Sequence, residues 1–495
     1  MLRKIRLTLA VLFFTAVTAL FLDFTGTIHA WLGWTAKVQF LPALLALNVA
    51  VVALLVLVTL LVGRVYCSVI CPLGVMQDIV SWVSGRRKKK RYRFTYSPEK
   101  RWLRYGVLGL FVVALAGGIG SFVALLAPYS SYGRIAANLF APVYRWGNNL
   151  LAYFAERTDS YTFYETEVWM KGLPTFIIAT VTLIVLVVLA WRNGRTYCNT
   201  ICPVGTVLGF FSRFSLFRPV LDAEKCKHCS LCARRCKAAC IDYKNHRIDY
   251  SRCVACMDCL DSCKHGALHL QSRLKKAKAT AIAGQTDTAR RGFLSVTALL
   301  ATTAVVKAQE KKVDGGLAVI EKKQVPKRTT PLVPPGAGSA RSFAQHCTAC
   351  QLCVSACPNG VLHPSTDLMK LMQPEMSYER GYCRPECTRC SDICPARAIR
   401  PISVEEKSST RIGHAVWVKQ NCVPLTDGVD CGNCARHCPS GAILMIPSDA
   451  DDPDSVKIPV VNEERCIGCG ACENLCPARP FSAIYVEGHT VHSTM

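Results

Sequence analysis

Cysteine is the feature that most constrains this chain. Of its 29 cysteines in 495 residues, 24 fall into six groups of four, and every group ends in C-x2-C-x3-C. A chain of this length with an odd number of cysteines does not match the disulfide framework of a small secreted domain. Four thiolates at this spacing are typical of a [4Fe–4S] cluster. Zinc is the alternative for a cysteine quartet, but complete C-x2-C-x2-C-x3-C runs in tandem favour clusters.

The first two groups predict a two-cluster ferredoxin module over residues 221–272. In two-cluster ferredoxins the fourth cysteine of each run ligates the other cluster. We therefore expect Cys236 and Cys263 to be exchanged between the two sites, and we interpret the spare Cys240 as a bystander. The predicted ligands are Cys226, Cys229, Cys232, Cys236, Cys253, Cys256, Cys259 and Cys263.

The other four groups predict a four-cluster module over residues 341–490. Its first and last groups have the regular spacing, whereas the second opens with a gap of three residues and the third with a gap of eight. The pairing is open; we predict a nested one, first group with fourth and second with third. The predicted ligands are Cys347, Cys350, Cys353, Cys357, Cys383, Cys387, Cys390, Cys394, Cys422, Cys431, Cys434, Cys438, Cys466, Cys469, Cys472 and Cys476.

Long apolar runs predict a membrane domain over residues 1–220. A span needs about 20 apolar residues to cross about 30 Å of hydrocarbon, although the first run is also compatible with a cleaved signal peptide. Basic residues concentrate in the loops 63–104 and 191–218, which predicts that these loops face the cytoplasm. No folded basic module for nucleic acid accompanies the net charge of +25. The four predicted spans are Leu7–Phe24, Leu41–Val62, Tyr105–Ala127 and Pro174–Trp191.

An internal repeat follows the second and fourth spans. The segments GRVYCSVICPLG and GRTYCNTICPVG match in order, and each contains C-x3-C-P. Spans that run in the same direction imply a pseudo-two-fold axis along the membrane normal, which predicts that Cys67, Cys71, Cys198 and Cys202 meet at the cytoplasmic face. The functional interpretation is a further metal, cluster or dithiol site; the alternative is four buried packing thiols.

Residues 273–340 form the join between the modules. Arg290–Arg291, followed by the apolar run Phe293–Val306, is similar to a twin-arginine export signal, and Ala308 could end a cleavage site. Export predicts a fifth span and a periplasmic second module. The alternative is a non-spanning helix, since 14 residues are short for a span; all six clusters would then be cytoplasmic.

Together these features predict an α-helical membrane domain with four spans and a fifth in the join, plus two α+β ferredoxin-like [4Fe–4S] modules. Residues 1–270 resemble the membrane quinol-dehydrogenase subunit of periplasmic nitrate reductase systems, and also the membrane parts of nitrous-oxide-reductase regulators and of an oxidase-maturation protein. Residues 285–490 resemble the partner ferredoxin-type subunit, so the chain is similar to a fusion of the two.

This resemblance implies a protein of the bacterial inner membrane that relays electrons from menaquinol or ubiquinol, through six [4Fe–4S] clusters, to a periplasmic reductase. The chain would be the quinol dehydrogenase component of such a system, with lipid, the quinol pool and a terminal redox protein as partners. The alternative is a maturation factor that reduces a metal or thiol during assembly of another respiratory enzyme.

Overall fold

The computed structural model describes residues 2–86, 94–160, 162–263, 265–273 and 321–495. Most of the basic run that follows Arg86 lies outside the described residues. The twin-arginine segment lies outside them too, together with the predicted fifth span and the cleavage site at Ala308.

The first 212 residues are mainly helical, because long apolar runs without β-branched alternation can bury only a helical backbone in an apolar environment. This part also contains one π-helical turn, Ala136–Phe140. The helices are α1 Leu2–Leu22, α2 Thr27–Leu32, α3 Trp34–Lys37, α4 Phe40–Leu45, α5 Val49–Val62, α6 Val65–Val69, α7 Pro72–Gly85, α8 Arg101–Ala116, α9 Gly120–Leu126, α10 Pro128–Ile135, α11 Ala141–Glu156, α12 Leu173–Asn193, α13 Thr196–Thr200 and α14 Pro203–Ser212.

Two helices in the described part of the chain, α1 and α12, are long and apolar enough to cross a membrane. The prediction of four uninterrupted spans is not confirmed. The second predicted span is divided between α4 and α5, at a break where Leu47 has a φ of 53°. The third is divided between α8 and α9, where Gly118 has a φ of 73°. Left-handed backbone ends a helix, so these two runs form shorter helices instead.

The first ferredoxin module is a small α+β unit that begins directly after α14. Its outer strands pair antiparallel, with Phe217 opposite Ser272. The backbone NH of Leu216 donates to the Leu60 carbonyl at 2.7 Å, which fixes this module to α5. Its elements are β1 Phe217–Leu221, α15 Leu231–Arg235, β2 Ile241–Asp242, β3 Arg247–Ile248 and β4 Leu268–Ser272.

The second module is built from three antiparallel strand pairs around a core that contains the fully buried Tyr378 and Val486. Its elements are α16 Ala340–His346, α17 Leu352–Ala356, β5 Leu362–Pro364, β6 Pro374–Met376, α18 Arg389–Ile393, α19 Val404–Ser409, β7 Thr410–Trp417, α20 Val423–Thr426, α21 Asn433–Arg436, β8 Ile443–Pro447, β9 Lys457–Val461, α22 Ala471–Leu475 and β10 Ile484–Thr494.

The helix α1 contacts both ferredoxin modules, one at each end. At its beginning, Arg3 Nε lies 3.0 Å from Asp258 Oδ1 of the first module. Just beyond its end, Gly26 packs against the guanidinium of Arg389 of the second module. Since 21 helical residues are about 30 Å long, the two contacts are separated by about the thickness of a bilayer core.

The helix α12 repeats this arrangement in the opposite direction. Lys171, just before its first residue, donates to the Val354 carbonyl of the second module at 3.4 Å. Arg195, just after its last residue, donates its backbone NH to the Lys237 carbonyl of the first module at 2.8 Å. The two modules therefore pack against opposite ends of the two longest apolar helices.

Candidate functional site

The thiols of the first module are grouped as the exchange rule predicts. One pocket is lined by the fourth cysteine of the first run together with the first three of the second run, and another by the reverse combination. The first set is Cys236, Cys253, Cys256 and Cys259. The second set is Cys226, Cys229, Cys232 and Cys263.

The second module shows the same exchange twice, so the nested pairing is wrong. Neighbouring groups exchange their fourth cysteines, first with second and third with fourth. Exchange between neighbours needs only the short connections that β5–β6 and β8–β9 supply, whereas nesting would need the two outer groups to meet. The four sets are Cys347, Cys350, Cys353 with Cys394; Cys383, Cys387, Cys390 with Cys357; Cys422, Cys431, Cys434 with Cys476; and Cys466, Cys469, Cys472 with Cys438.

The regular loops are wound around their thiols at a conformational cost. In the C-x2-C-x2-C runs, the residues on either side of the middle cysteine have positive φ. Glycine takes these positions at Gly468 and Gly470, but elsewhere side chains are forced into the left-handed region, which costs about 1–2 kcal/mol per residue. Such strain is typical of functional sites. The strained residues are His228, Ser230, Ala255, Met257, Ala349 and Gln351.

The two irregular groups lack this double left-handed turn. Thr388, in the second group, has a φ of −106°, and the third group has only Gly432 in the left-handed region within its C-x2-C. A first ligand that arrives from a longer loop does not need the tight winding. The residues after the middle cysteine still form a short helix, α18 or α21, that ends before the fourth cysteine. The longer first gap therefore changes only how the first thiol reaches the set. The segment that carries the last three thiols keeps its structure.

Two buried hydroxyl groups near the first thiol set of the second module, Cys347, Cys350, Cys353 and Cys394, fit a cluster held by that set. Tyr129 Oη and Thr348 Oγ1 are buried and have no hydrogen-bond partner among the described residues. Tyr129 lies beside Cys350 and Cys394. Burial raises the pKa of Tyr129, and these two thiols raise it further. Because an unpaired buried hydroxyl is costly, these residues fit the acceptor sulfurs that a cluster presents.

The four cysteines of the internal repeat come together in the membrane half. All four thiols are buried, and Cys67, Cys71 and Cys198 each act electrostatically on Cys202. Gln77 Nε2 lies 3.3 Å from Cys198 Sγ. The predicted convergence is therefore present, while its function stays a prediction.

Buried ion pairs join the repeat to the first module. Asp78 Oδ1 lies 2.7 Å from Arg195 Nε, and Asp78 Oδ2 lies 2.8 Å from Lys237 Nζ. Lys237 also pairs with Asp258 at 3.1 Å, and Arg6 with Asp78 at 3.2 Å. Burial alone would raise the pKa of Asp78, but Arg195 and Lys237 hold it well below its usual range. We did not predict this junction; the only signal was that Arg195 matches Arg64 in the repeat.

The lowered pKa of Asp78 predicts that this junction weakens in acid. A carboxyl group with a lowered folded-state pKa contributes stability that is complete above its unfolded pKa, about 3.9, and lost as the pH falls through the folded-state pKa. We expect the apparent melting temperature of the protein in detergent to decrease below about pH 4. Tryptophan fluorescence during heating, followed between about pH 7 and about pH 3, measures this. An unchanged melting temperature across that range would contradict the prediction.

The second module is docked on α10 and the π-helical turn that follows it by close and buried contacts. Asn138 Nδ2 donates to Gln351 Oε1 at 2.8 Å, and both side chains are buried. A Cβ atom at Gly133 would lie 2.3 Å from the Cys350 carbonyl oxygen, so only glycine permits this approach. The first cysteine group of the second module therefore lies directly against the membrane half.

Cys240, which we predicted to be a bystander, lies beside predicted ligands of the first module. Its Sγ lies 3.5 Å from Cys236 Sγ, and it lines the same pocket as Cys253 and Cys256. A neighbouring S–H can donate a weak hydrogen bond to a ligand sulfur, which is one way that proteins tune cluster potentials. Only the fold brings this residue to the site.

Comparison with known proteins agrees with this geometry. The family described as "4Fe-4S binding domain" matches residues 44–91 and 173–221, the two segments that contain the C-x3-C-P repeats. The family described as "4Fe-4S dicluster domain" matches residues 429–479. No solved structure matches the chain.

Three relatives illustrate the similarity. The chain is 32% identical over 170 residues to the methylamine utilization ferredoxin-type protein MauM of Methylophilus methylotrophus, which covers 32% of this chain and 72% of MauM. It is 27% identical over 156 residues to the ferredoxin-type protein NapF of Escherichia coli K12, covering 32% of this chain and 86% of NapF. It is also 25% identical over 283 residues to an uncharacterised protein of Methanocaldococcus jannaschii, covering 56% of this chain and 89% of that protein.

These matches confirm the resemblance to ferredoxin-type iron–sulfur proteins and identify the chain as an electron-transfer protein with [4Fe–4S] domains. The identity to MauM extends over most of that relative. This chain therefore belongs to the family of ferredoxin-type iron–sulfur proteins that includes MauM and NapF.

Proposed function

We propose that this protein is a membrane-bound relay that takes electrons from quinol and delivers them to a reductase. Six [4Fe–4S] clusters would be held by the six thiol sets described above. When bound, such clusters accept and donate single electrons. The chain's own residues supply the thiolates, the insulating core and the docking of the modules on the membrane helices.

The observation that carries this proposal is the contact of α1 and α12 with both modules. Arg3 and Arg195 meet the first module at one end of these helices, while Gly26 and Lys171 meet the second module at the other end. Helices of 21 residues match the thickness of a bilayer. This supports a cytoplasmic first module and a periplasmic second module in the bacterial inner membrane.

The side chains at the two ends support the same orientation. Near the first module, Arg101 is exposed and Trp102 is 87% exposed. At the opposite end, Trp31 is 82% and Trp146 is 62% exposed. Exposed tryptophans at two levels are typical of the two membrane–water interfaces, and arginines are typical of the cytoplasmic side.

A buried pair at the second-module end supports quinol as the donor. His29 Nδ1 lies 2.8 Å from Asp23 Oδ2, and His29 Nε2 has no partner among the described residues. Burial lowers the pKa of His29 despite Asp23, and Arg389 lowers it further, so the imidazole is neutral and able to accept a proton. Quinol oxidation releases two protons and two electrons. We propose that one proton moves to His29 Nε2 and the other to solvent, while the two electrons leave one at a time toward the second thiol set, whose Cys390 directly follows Arg389.

The quinol step is tested by replacing His29 with glutamine. We expect reduction of the protein by a menaquinol analogue to slow by about 100-fold, because a positioned general base contributes about 10²–10⁴-fold. Reduction by dithionite should be unchanged. Anaerobic stopped-flow absorbance measures both rates, and His269→Gln, at an exposed position of the first module, is the matched control. Equal quinol rates in the two variants would contradict the assignment of His29, and no quinol reduction of the unaltered protein would contradict the relay.

The maturation-factor alternative is favoured by one observation, the buried group of four repeat thiols. Serine at Cys71 and Cys202 that leaves quinol-dependent electron transfer intact, but blocks assembly of a partner oxidase, would favour this alternative. Loss of electron transfer with normal oxidase assembly would favour the relay.

A further inference from the structure

The two C-x3-C-P repeats build one four-thiol site with matching surroundings. Cys71 and Cys202 each precede the proline that begins α7 or α14. The backbone NH of Gly205 lies 3.3 Å from Cys202 Sγ, and the NH of Gly74 interacts with Cys71 in the same way. Amides that point at cysteine sulfur are the same device that ferredoxin loops use to stabilise charged thiolates.

Two buried arginine side chains lie beside these thiols: Arg195 is paired with Asp78, whereas Arg64 has no anionic partner among the described residues. Arg64 and Arg195 are fully buried, and Arg195 Nη1 lies 3.8 Å from Cys198 Sγ. Arg64 donates only to neutral oxygens, at Gly205, Asn199 and Arg252. In the described part of the chain, Arg64 Nε and Arg195 Nη2 have no hydrogen-bond partner.

A buried guanidinium without a counter-charge costs several kcal/mol. A thiolate-bound cluster carries net negative charge and presents acceptor sulfurs, so it would satisfy both the charge of Arg64 and the two unpaired N–H donors. Four neutral packing thiols would satisfy neither. The surroundings therefore fit an anionic metal–sulfur group better than apolar packing.

The spacing of the thiols disfavours a single zinc ion. Tetrahedral zinc with sulfur at about 2.3 Å requires sulfurs about 3.8 Å apart. Among the described residues, three ligand atoms within 4.8 Å of one another occur only at Cys226, His228 and His246. The repeat thiols are therefore not gathered as tightly as one zinc ion requires.

The four-thiol site lies between the two ferredoxin modules. On one side, Arg64 acts electrostatically on both Cys67 and Cys253, a thiol of the first module. On the other side, Arg134 of α10 interacts with Tyr197, next to Cys198, and with Cys350 of the second module. Arg134 of α10 therefore lies between the four-thiol site and the first cysteine group of the second module.

We infer that Cys67, Cys71, Cys198 and Cys202 bind a seventh iron–sulfur cluster, placed where it connects the two ferredoxin modules through the membrane half. This deepens the proposed relay and rests on it. Single electrons pass from one module to the other by this route without forming or breaking a covalent bond, so no diffusible carrier is required between them.

The test is iron and acid-labile sulfide content of the full chain, purified anaerobically in detergent. Seven clusters predict about 28 irons per chain, whereas six predict about 24. The double variant Cys71→Ser, Cys202→Ser should lose about four irons and the corresponding electron paramagnetic resonance signal of the reduced protein. Ser68→Ala is the matched control, since it alters a buried side chain of the same helix as Cys67 without removing a proposed ligand.

The outcomes are distinguishable. About 24 irons in the unaltered protein and no loss in the double variant would overturn the seventh cluster and leave the relay intact. Zinc in place of the extra iron would overturn it as well. Iron far below 24 in the unaltered protein would instead count against the relay itself. If the double variant does not fold, the iron content of the unaltered protein decides alone.

Discussion

Replacing Asp78 with asparagine is expected to detach the first ferredoxin module from the membrane helices. Asp78 pairs with Arg195, Lys237 and Arg6 in a buried junction. Removing one member of a buried ion pair costs about 3–5 kcal/mol, because the remaining charge stays buried without compensation. Here Arg195 would lose its carboxylate partner, whereas Lys237 would keep Asp258. The substitution keeps the size of the side chain, so the loss is electrostatic rather than one of packing.

Two measurements check this prediction. The apparent melting temperature should decrease, and hydrogen–deuterium exchange of β1 and β4 should increase. Asp261→Asn is the matched control, because Asp261 pairs with Arg3 at 3.4 Å but is 47% exposed, and such surface pairs contribute about 0–1 kcal/mol. Similar exchange in the two variants would show that the Asp78 junction does not hold the module.

Replacing Gly133 with leucine is expected to separate the second module from α10. A side chain at Gly133 would collide with the carbonyl oxygen of Cys350 and with the ring of Phe21. The carbonyl belongs to a loop that its thiols hold in place, so the module must move away as a unit. Overpacking usually costs about 1–3 kcal/mol, and here the cost falls on the interface.

Hydrogen–deuterium exchange of α17 reports the opening, and the rate of electron transfer between the modules should decrease with it. Gly147→Leu is the control, since a Cβ at Gly147 meets no atom within 4 Å and this residue is also helical. Unchanged exchange of α17 in Gly133→Leu would mean that the module docks elsewhere.

The grouping of the thiols was predictable because its information is local. A cube needs thiolates a few residues apart, so the spacing around Cys229 or Cys469 is visible in the sequence. The exchange of Cys236 with Cys263 was predictable too, because it follows a rule within one short motif pair. The convergence of Cys67 with Cys198 followed from the repeat, which implies symmetry.

Other features depend on parts of the chain that only the fold brings together. The pairing of Cys357 with the second group depends on the hairpin of β5 and β6, which brings the chain back beside Cys357. The spacing of the cysteines in the sequence does not predict this hairpin. The breaks at Leu47 and Gly118 were hidden because hydropathy averages over a window and does not respond to one left-handed residue. The contact of Asn138 with Gln351 joins residues more than 200 positions apart and has no periodic signal.

The lengths of α1 and α12 have an energetic consequence for the proposed relay. An electron that travels from one end of these helices to the other moves through the whole membrane voltage. Each elementary charge gains or loses about 2.3 kcal/mol per 100 mV. Transfer toward the negatively charged interior would be opposed and transfer outward assisted, so the resting voltage of the cell would bias the direction in which this protein works.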